Sequence, residues 1–253
     1  MSISLSLYRR HKCSLTAVAA ATTLLVIVLL PLLEIAGRAL FGEGISGSIN
    51  YVRHATLWFG YLGAVMAARK SRHISLGIAS VLGGRSKTLA DALAQTLAVV
   101  TCLVLARAAF QMAVAESSSE VLLGGLIPLW LAQSVMPVSF VLLASRYAQQ
   151  LTETVSQGWL LVLALAVIAL AWQVDFSSGY VLPAGLVVIF VATLAGAPIY
   201  IVLGSLAALL FATDGVPLAS ISVEAYRIAS NPILPTIPLF TLAGTVLASG
   251  NAS

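Results

Sequence analysis

About seven apolar stretches near bilayer length, separated by short loops, run through this 253-residue chain, and nine of its thirteen Lys and Arg fall in alternate loops. A helix needs about 20 mostly apolar residues to cross the hydrocarbon, and loops rich in Lys and Arg stay on the cytoplasmic side. The layout therefore predicts an all-α polytopic membrane protein. The stretches are Leu15–Phe41, Tyr51–Ala68, Thr88–Ala115, Ile127–Tyr147, Gly158–Trp172, Tyr180–Leu194 and Pro198–Ala212. A last one, Ile237–Leu247, is too short to span as it stands.

Charge orients these helices. Arg9, Arg10 and Lys12 form one basic cluster, Arg69, Lys70, Arg72, Arg85 and Lys87 a second, and Arg146 follows the fourth span. The opposite loops carry Glu43, then Glu116 and Glu120, then Asp175. The N-terminus is expected to be cytoplasmic, with four helices in two hairpins. The run Leu15–Leu33 is longer than a signal-peptide core of about 7–15 residues, and Glu34 and Arg38 follow it, so it reads as a retained transmembrane helix. Two further segments have the stripe of a surface helix: His73–Leu82, and the set Leu218, Ile221, Ala225 and Ile228 with Glu224 and Arg227 on the other faces. Trp58, Trp130 and Trp172 are placed as interface anchors. Residues 148–157 are the longest polar connection after the fourth span and mark a domain boundary.

Only 9% of residues are charged, against roughly 25% in a soluble domain, so the surface is made for the lipid bilayer. The positive charges sit beside apolar spans and form no basic face interleaved with aromatics, which argues against nucleic acid. Cys13 and Cys102 are too few for a disulfide framework and read as free thiols acting as small hydrophobes. His54 and His73 stand at opposite ends of the second helix, a bilayer apart, which excludes them as paired haem ligands. No phosphate loop, zinc-ligand set or catalytic triad pattern is present, so no enzyme is expected.

Four polar residues at or within spans are candidates for structural or partner contacts: Glu34, Arg38, Arg53 and Arg107. Glu34 and Arg38 are spaced for an i, i+4 ion pair near the outer interface, as an anchor or helix–helix pin. Arg107 lies deep in the third span, where an ionisable group is a functional hypothesis by default. Its structural alternative is a pairing with Glu34, Gln111 or a carbonyl of a neighbouring helix. Gly60, Ala64 and Ala68, and Gly204 with Ala208, form small-residue stripes that let helix backbones approach.

Further motifs carry a resemblance. Arg38, Phe41 and Gly42 close the first helix; Trp58, Leu62 and Gly63 lie in the second; His73-Ile74 ends the basic turn. Ile127, Pro128 and Trp130 open the fourth helix ahead of Pro137. Further on come Gly196-Ala197-Pro198, Ile237-Pro238-Leu239-Phe240 and Leu242-Ala243-Gly244. In this order and spacing the chain resembles a tripartite ATP-independent periplasmic (TRAP) transporter with fused small and large membrane subunits, in its N-terminal portion. Residues 1–150 look like the four-helix small-subunit bundle, 151–179 like a connector with one transmembrane helix, and 180–253 like the first helices of an elevator-type scaffold. Ser48-Ile49-Asn50-Tyr51 stands where the family usually has acidic residues, and Glu34 where an Asn is common.

The resemblance implies a membrane component of the bacterial inner membrane. It implies sodium-driven symport of an organic acid delivered by a periplasmic substrate-binding protein, with no covalently bound cofactor and Na+ as coupling ion. The partners implied are that binding protein and the remainder of the large membrane subunit. The family's substrate hairpins lie beyond the large-subunit opening, whereas this chain ends at Asn251-Ala252-Ser253, so it is expected to be an incomplete product acting as scaffold, with the substrate residues outside it. The alternative expectation is a non-transporting scaffold or assembly subunit for a separately encoded permease.

Overall fold

Away from water, a helix satisfies every backbone N–H and C=O within one segment. That is what the apolar runs form in the computed structural model of the protein, which describes residues 15–45, 47–69, 84–154 and 179–250. Helix α1 is Leu15–Phe41, α2 Ser48–Arg69 and α3 Gly84–Ser117. A two-residue antiparallel ladder follows, β1 Leu122–Leu123 with β2 Ile127–Pro128. Then come α4 Leu129–Gln133, α5 Val135–Thr154, α6 Val181–Leu194, α7 Ile199–Thr213, α8 Ala219–Ala229 and α9 Thr236–Ser249. Among the described residues, Thr16–Phe41, Ser86–Ser117 and Leu129–Thr154 are long and apolar enough to cross a membrane. The protein is an all-α polytopic membrane protein. The N-terminal basic cluster, Cys13, the surface helix expected over His73–Leu82 and the connector expected over Gly158–Trp172 lie outside the described residues.

Local chemistry sets the helix ends. α1 stops at Gly42, whose φ of +73° suits a residue without Cβ, and whose N–H reaches the Arg38 carbonyl at 3.2 Å. α6 stops at Gly196, where the Ala197 N–H bonds back to the Ala192 carbonyl at 2.9 Å. Pro198 then opens α7, so Gly196-Ala197-Pro198 is a stop followed at once by a start.

Five expectations are corrected. The fourth span does not begin as helix at Ile127, because the Gly124-Gly125 turn, with both φ positive, folds Ile127 and Pro128 back on Leu123 and Leu122. It also breaks at Ser134, since Pro137 has no N–H for the Gln133 carbonyl and its ring crowds that position. The stretch from Ala148 is no loop to begin with: α5 continues to Thr154, whose hydroxyl accepts from Gln95 Nε2 at 3.0 Å. Trp58 sits mid-way along α2 rather than at an end. On α8 the inner stripe passes through Ser222, Ala225 and Tyr226, leaving Ile228 on the exposed side with Glu224 and Arg227.

The chain divides into two compact units, residues 1–66 with 229–253, and residues 67–228. In the first, Ile27 of α1 and Leu57 and Val65 of α2 are fully enclosed. In the second, α3 packs along α5. α3 buries a column of small residues at near four-residue spacing (Ala94, Ala98, Cys102, Ala106, Ala109 and Ala113), while α5 buries Met136, Leu143, Tyr147 and Leu151. Large side chains on one helix against small ones on the other bring the backbones together. The α6–α7 hairpin packs on α3 in the same unit.

Candidate functional site

The polar groups of the first unit gather at the α1–α2 turn. Glu34 and Arg38 are one turn apart on α1, and Arg38 Nη2 donates to Glu34 Oε1 at 2.6 Å. Ser48 Oγ, at the start of α2, donates to Glu34 Oε2. One carboxylate thus ties the end of α1 to the beginning of α2. The turn between them leaves Gly44 under the Arg38 side chain: a Cβ there would stand 2.6 Å from Arg38 Nε. The resulting pocket, about 350 Å³, is lined by Glu34, Arg38, Gly44, Ile45, Gly47, Ser48 and Ile49. It offers a guanidinium that is largely exposed beside a carboxylate that is not, 68% against 21%. That is a surface for polar contact.

The next two polar residues stand on the first turns of α2. His54 is buried and its Nδ1–H donates to the Asn50 carbonyl at 2.8 Å. Arg53 is half-buried, and its Nε is enclosed without a hydrogen-bond partner among the described residues. Arg107 lies on α3 in the other unit, on the exposed side with Phe110, Gln111 and Val114. Within the first unit, Glu34 is engaged by Arg38 and Ser48. Of the four sequence candidates, Glu34 and Arg38 are therefore brought together.

A larger groove, about 610 Å³, is lined by α1, α2 and the α9 region of the same unit, with Gly60 and Ala64 among its lining residues. Its threonines turn their hydroxyls to their own helices: Thr56 to the Val52 carbonyl at 2.9 Å, Thr241 to Ile237 at 2.8 Å and Thr245 to Leu242 at 2.7 Å. Among the described residues, no charged side chain lines it. Such a wall suits apolar packing.

Three residues escaped the sequence reading. Ser48 was noted only as a departure from an acidic pattern, and its hydroxyl completes the Glu34 contact. Tyr147 of α5 and Tyr200 of α7 hydrogen-bond hydroxyl to hydroxyl in the second unit. The usable signal was a phenol within an apolar run, since a tyrosine hydroxyl in such surroundings usually finds a partner.

A family model for tripartite ATP-independent periplasmic transporters, DctQ component, matches residues 27–157, just over half of the chain. Searches among curated proteins and among solved structures gave no match. The matched residues take in most of α1 and all of α2 to α5, with the Glu34–Arg38–Ser48 contact and the α3–α5 packing inside them. The chain belongs to the DctQ-component family of tripartite ATP-independent periplasmic transporters, and is a membrane component of such a transporter.

Proposed function

We propose that this chain is the front part of a TRAP permease in which the small and large membrane subunits are fused. Residues 1–150 are the small-subunit-like domain, 151–179 the connector with one transmembrane helix, and 180–253 the start of the permease domain. The observation that carries the reading is the packing of α6 and α7, outside the family match, on α3, inside it. The transporter takes up an organic acid into the cell across the inner membrane, driven by sodium and supplied by a periplasmic binding protein. This part braces the moving remainder of the large subunit. Glu34, Arg38 and Arg53, grouped near one end of the first hairpin, serve as structural or partner contacts on the periplasmic side, and Arg107 as one on the exposed side of α3. In proteoliposomes holding the complete transporter, uptake of the acid is expected to require both an inward sodium gradient and the binding protein. Uptake that continues without either one refutes this reading.

The N-terminus is cytoplasmic in this proposal. A cysteine at Ser118, exposed beyond the end of α3, is expected to react with an impermeant thiol reagent added from the periplasm. One at Ser71 is expected to stay unlabelled. The reverse pattern inverts the topology.

A further inference from the structure

The family match ends at residue 157, between α5 and the α6–α7 hairpin, yet these helices share one unit. Their contact is made largely of small side chains. Ala90 and Ala94 of α3 cluster with Ala192 of α6 and with Ala195 and Ala197 of the loop after it. Gly204 of α7 lies against Thr101 and Leu105 of α3. Small residues permit close approach but say little about register. α3 carries alanines at 90, 92, 94, 98, 106, 108, 109, 113 and 115, and α7 at 207, 208 and 212, so small residues recur a turn away on both helices.

A pair of polar groups has no such freedom. Tyr147 is buried on α5, and its hydroxyl meets that of Tyr200, in the first turn of α7. One turn further along α7, Gly204 lies against Thr101 of α3, next to the buried Cys102. Three helices therefore converge on one hydroxyl–hydroxyl bond. A slide of one turn moves Tyr200, which is 39% exposed, about 5.4 Å and takes its hydroxyl away from that of Tyr147, which is 3% exposed, where loss of a polar contact is costly.

We propose that the Tyr147–Tyr200 pair fixes the register in which the DctQ-component helices receive the helical hairpin that follows them. Calling this face the join to the permease rests on the fused-transporter reading; the register lock itself does not. The test uses the full chain with a protease site inserted between Ser177 and Ser178, cleaved in detergent. The two pieces are expected to stay together. Tyr147→Phe and Tyr200→Phe are each expected to speed dissociation about threefold, a typical interhelical hydrogen bond in a membrane protein. The double variant is expected to add nothing further. Unchanged rates, effects that multiply to about ninefold, or separation of the parent pieces on cleavage overturn the proposal.

A second measurement does not depend on purified variants. In native membranes, with Cys13→Ser and Cys102→Ala removing the native thiols, the pair A94C and A195C is expected to form a disulfide. Its yield is expected to fall severalfold when Y200F is added, and equal yields count against the register lock. Neither readout involves transport, so both keep their meaning if sodium-coupled uptake fails.

Discussion

Met136→Ala is expected to lower the stability of the second unit by about 2 kcal/mol, at the lower end of the range for emptying a buried methionine site. Met136 is 0% exposed, on the first turn of α5. The helix break at Ser134 and the Pro137 ring hold the backbone there, so collapse around the void is limited. The lower end is chosen because lipid already shelters apolar groups, leaving the lost packing contacts as the main term. Unfolding in a denaturing detergent titration, followed by circular dichroism, measures it. Val138→Ala is the control, since Val138 is 55% exposed on the same helix and is expected to change stability by less than about 0.5 kcal/mol. Equal effects at the two positions would mean that α5 does not pack as described.

The second large effect is expected at Gly204. A Cβ there would come within 3.3 Å of Leu105 Cδ1 and 3.4 Å of Thr101 Cγ2. Alanine asks these neighbours to yield by a few tenths of an ångström. Leucine has no room, and the Thr101 side chain is held by its hydroxyl on the Leu97 carbonyl at 2.8 Å. Gly204→Leu is therefore expected to cost about 1–3 kcal/mol, and Gly204→Ala clearly less. The same titration ranks the two. A leucine variant as stable as the parent would show that α7 does not lie against α3 through this glycine.

Most of the architecture was legible because apolar runs and their stops are local. The bounds of α1, Leu15–Phe41, coincide with the expected stretch, and Gly196-Ala197-Pro198 marks a true helix junction. The errors came where local composition was outweighed by partners elsewhere. Gln149, Gln150 and Thr154 look like loop residues, yet they extend α5, where Gln149 accepts from Arg146 at 3.1 Å and Thr154 from Gln95. Ile127 and Pro128 look like a helix start until the Gly124-Gly125 turn draws them into a ladder. The candidate site divides the same way. Glu34 and Arg38 declare themselves by spacing, whereas Ser48 joins them across fourteen residues through a glycine turn. The tyrosine pair is separated by fifty-three residues, and no spacing rule reaches that far.

The length of α3 bears on how the protein responds to its membrane. Its 34 residues make about 51 Å of helix at 1.5 Å per residue, against a hydrocarbon core of about 30 Å. Even a tilt of about 40° leaves more than a turn of it outside that core. Arg85, Lys87 and Asp91 mark its first turns as the part that emerges, and Ala90 goes with them. The thickness of the bilayer thus decides how much of α3 stands clear of the hydrocarbon, and lipid chain length becomes a mechanical input to the helix on which both α5 and the α6–α7 hairpin pack.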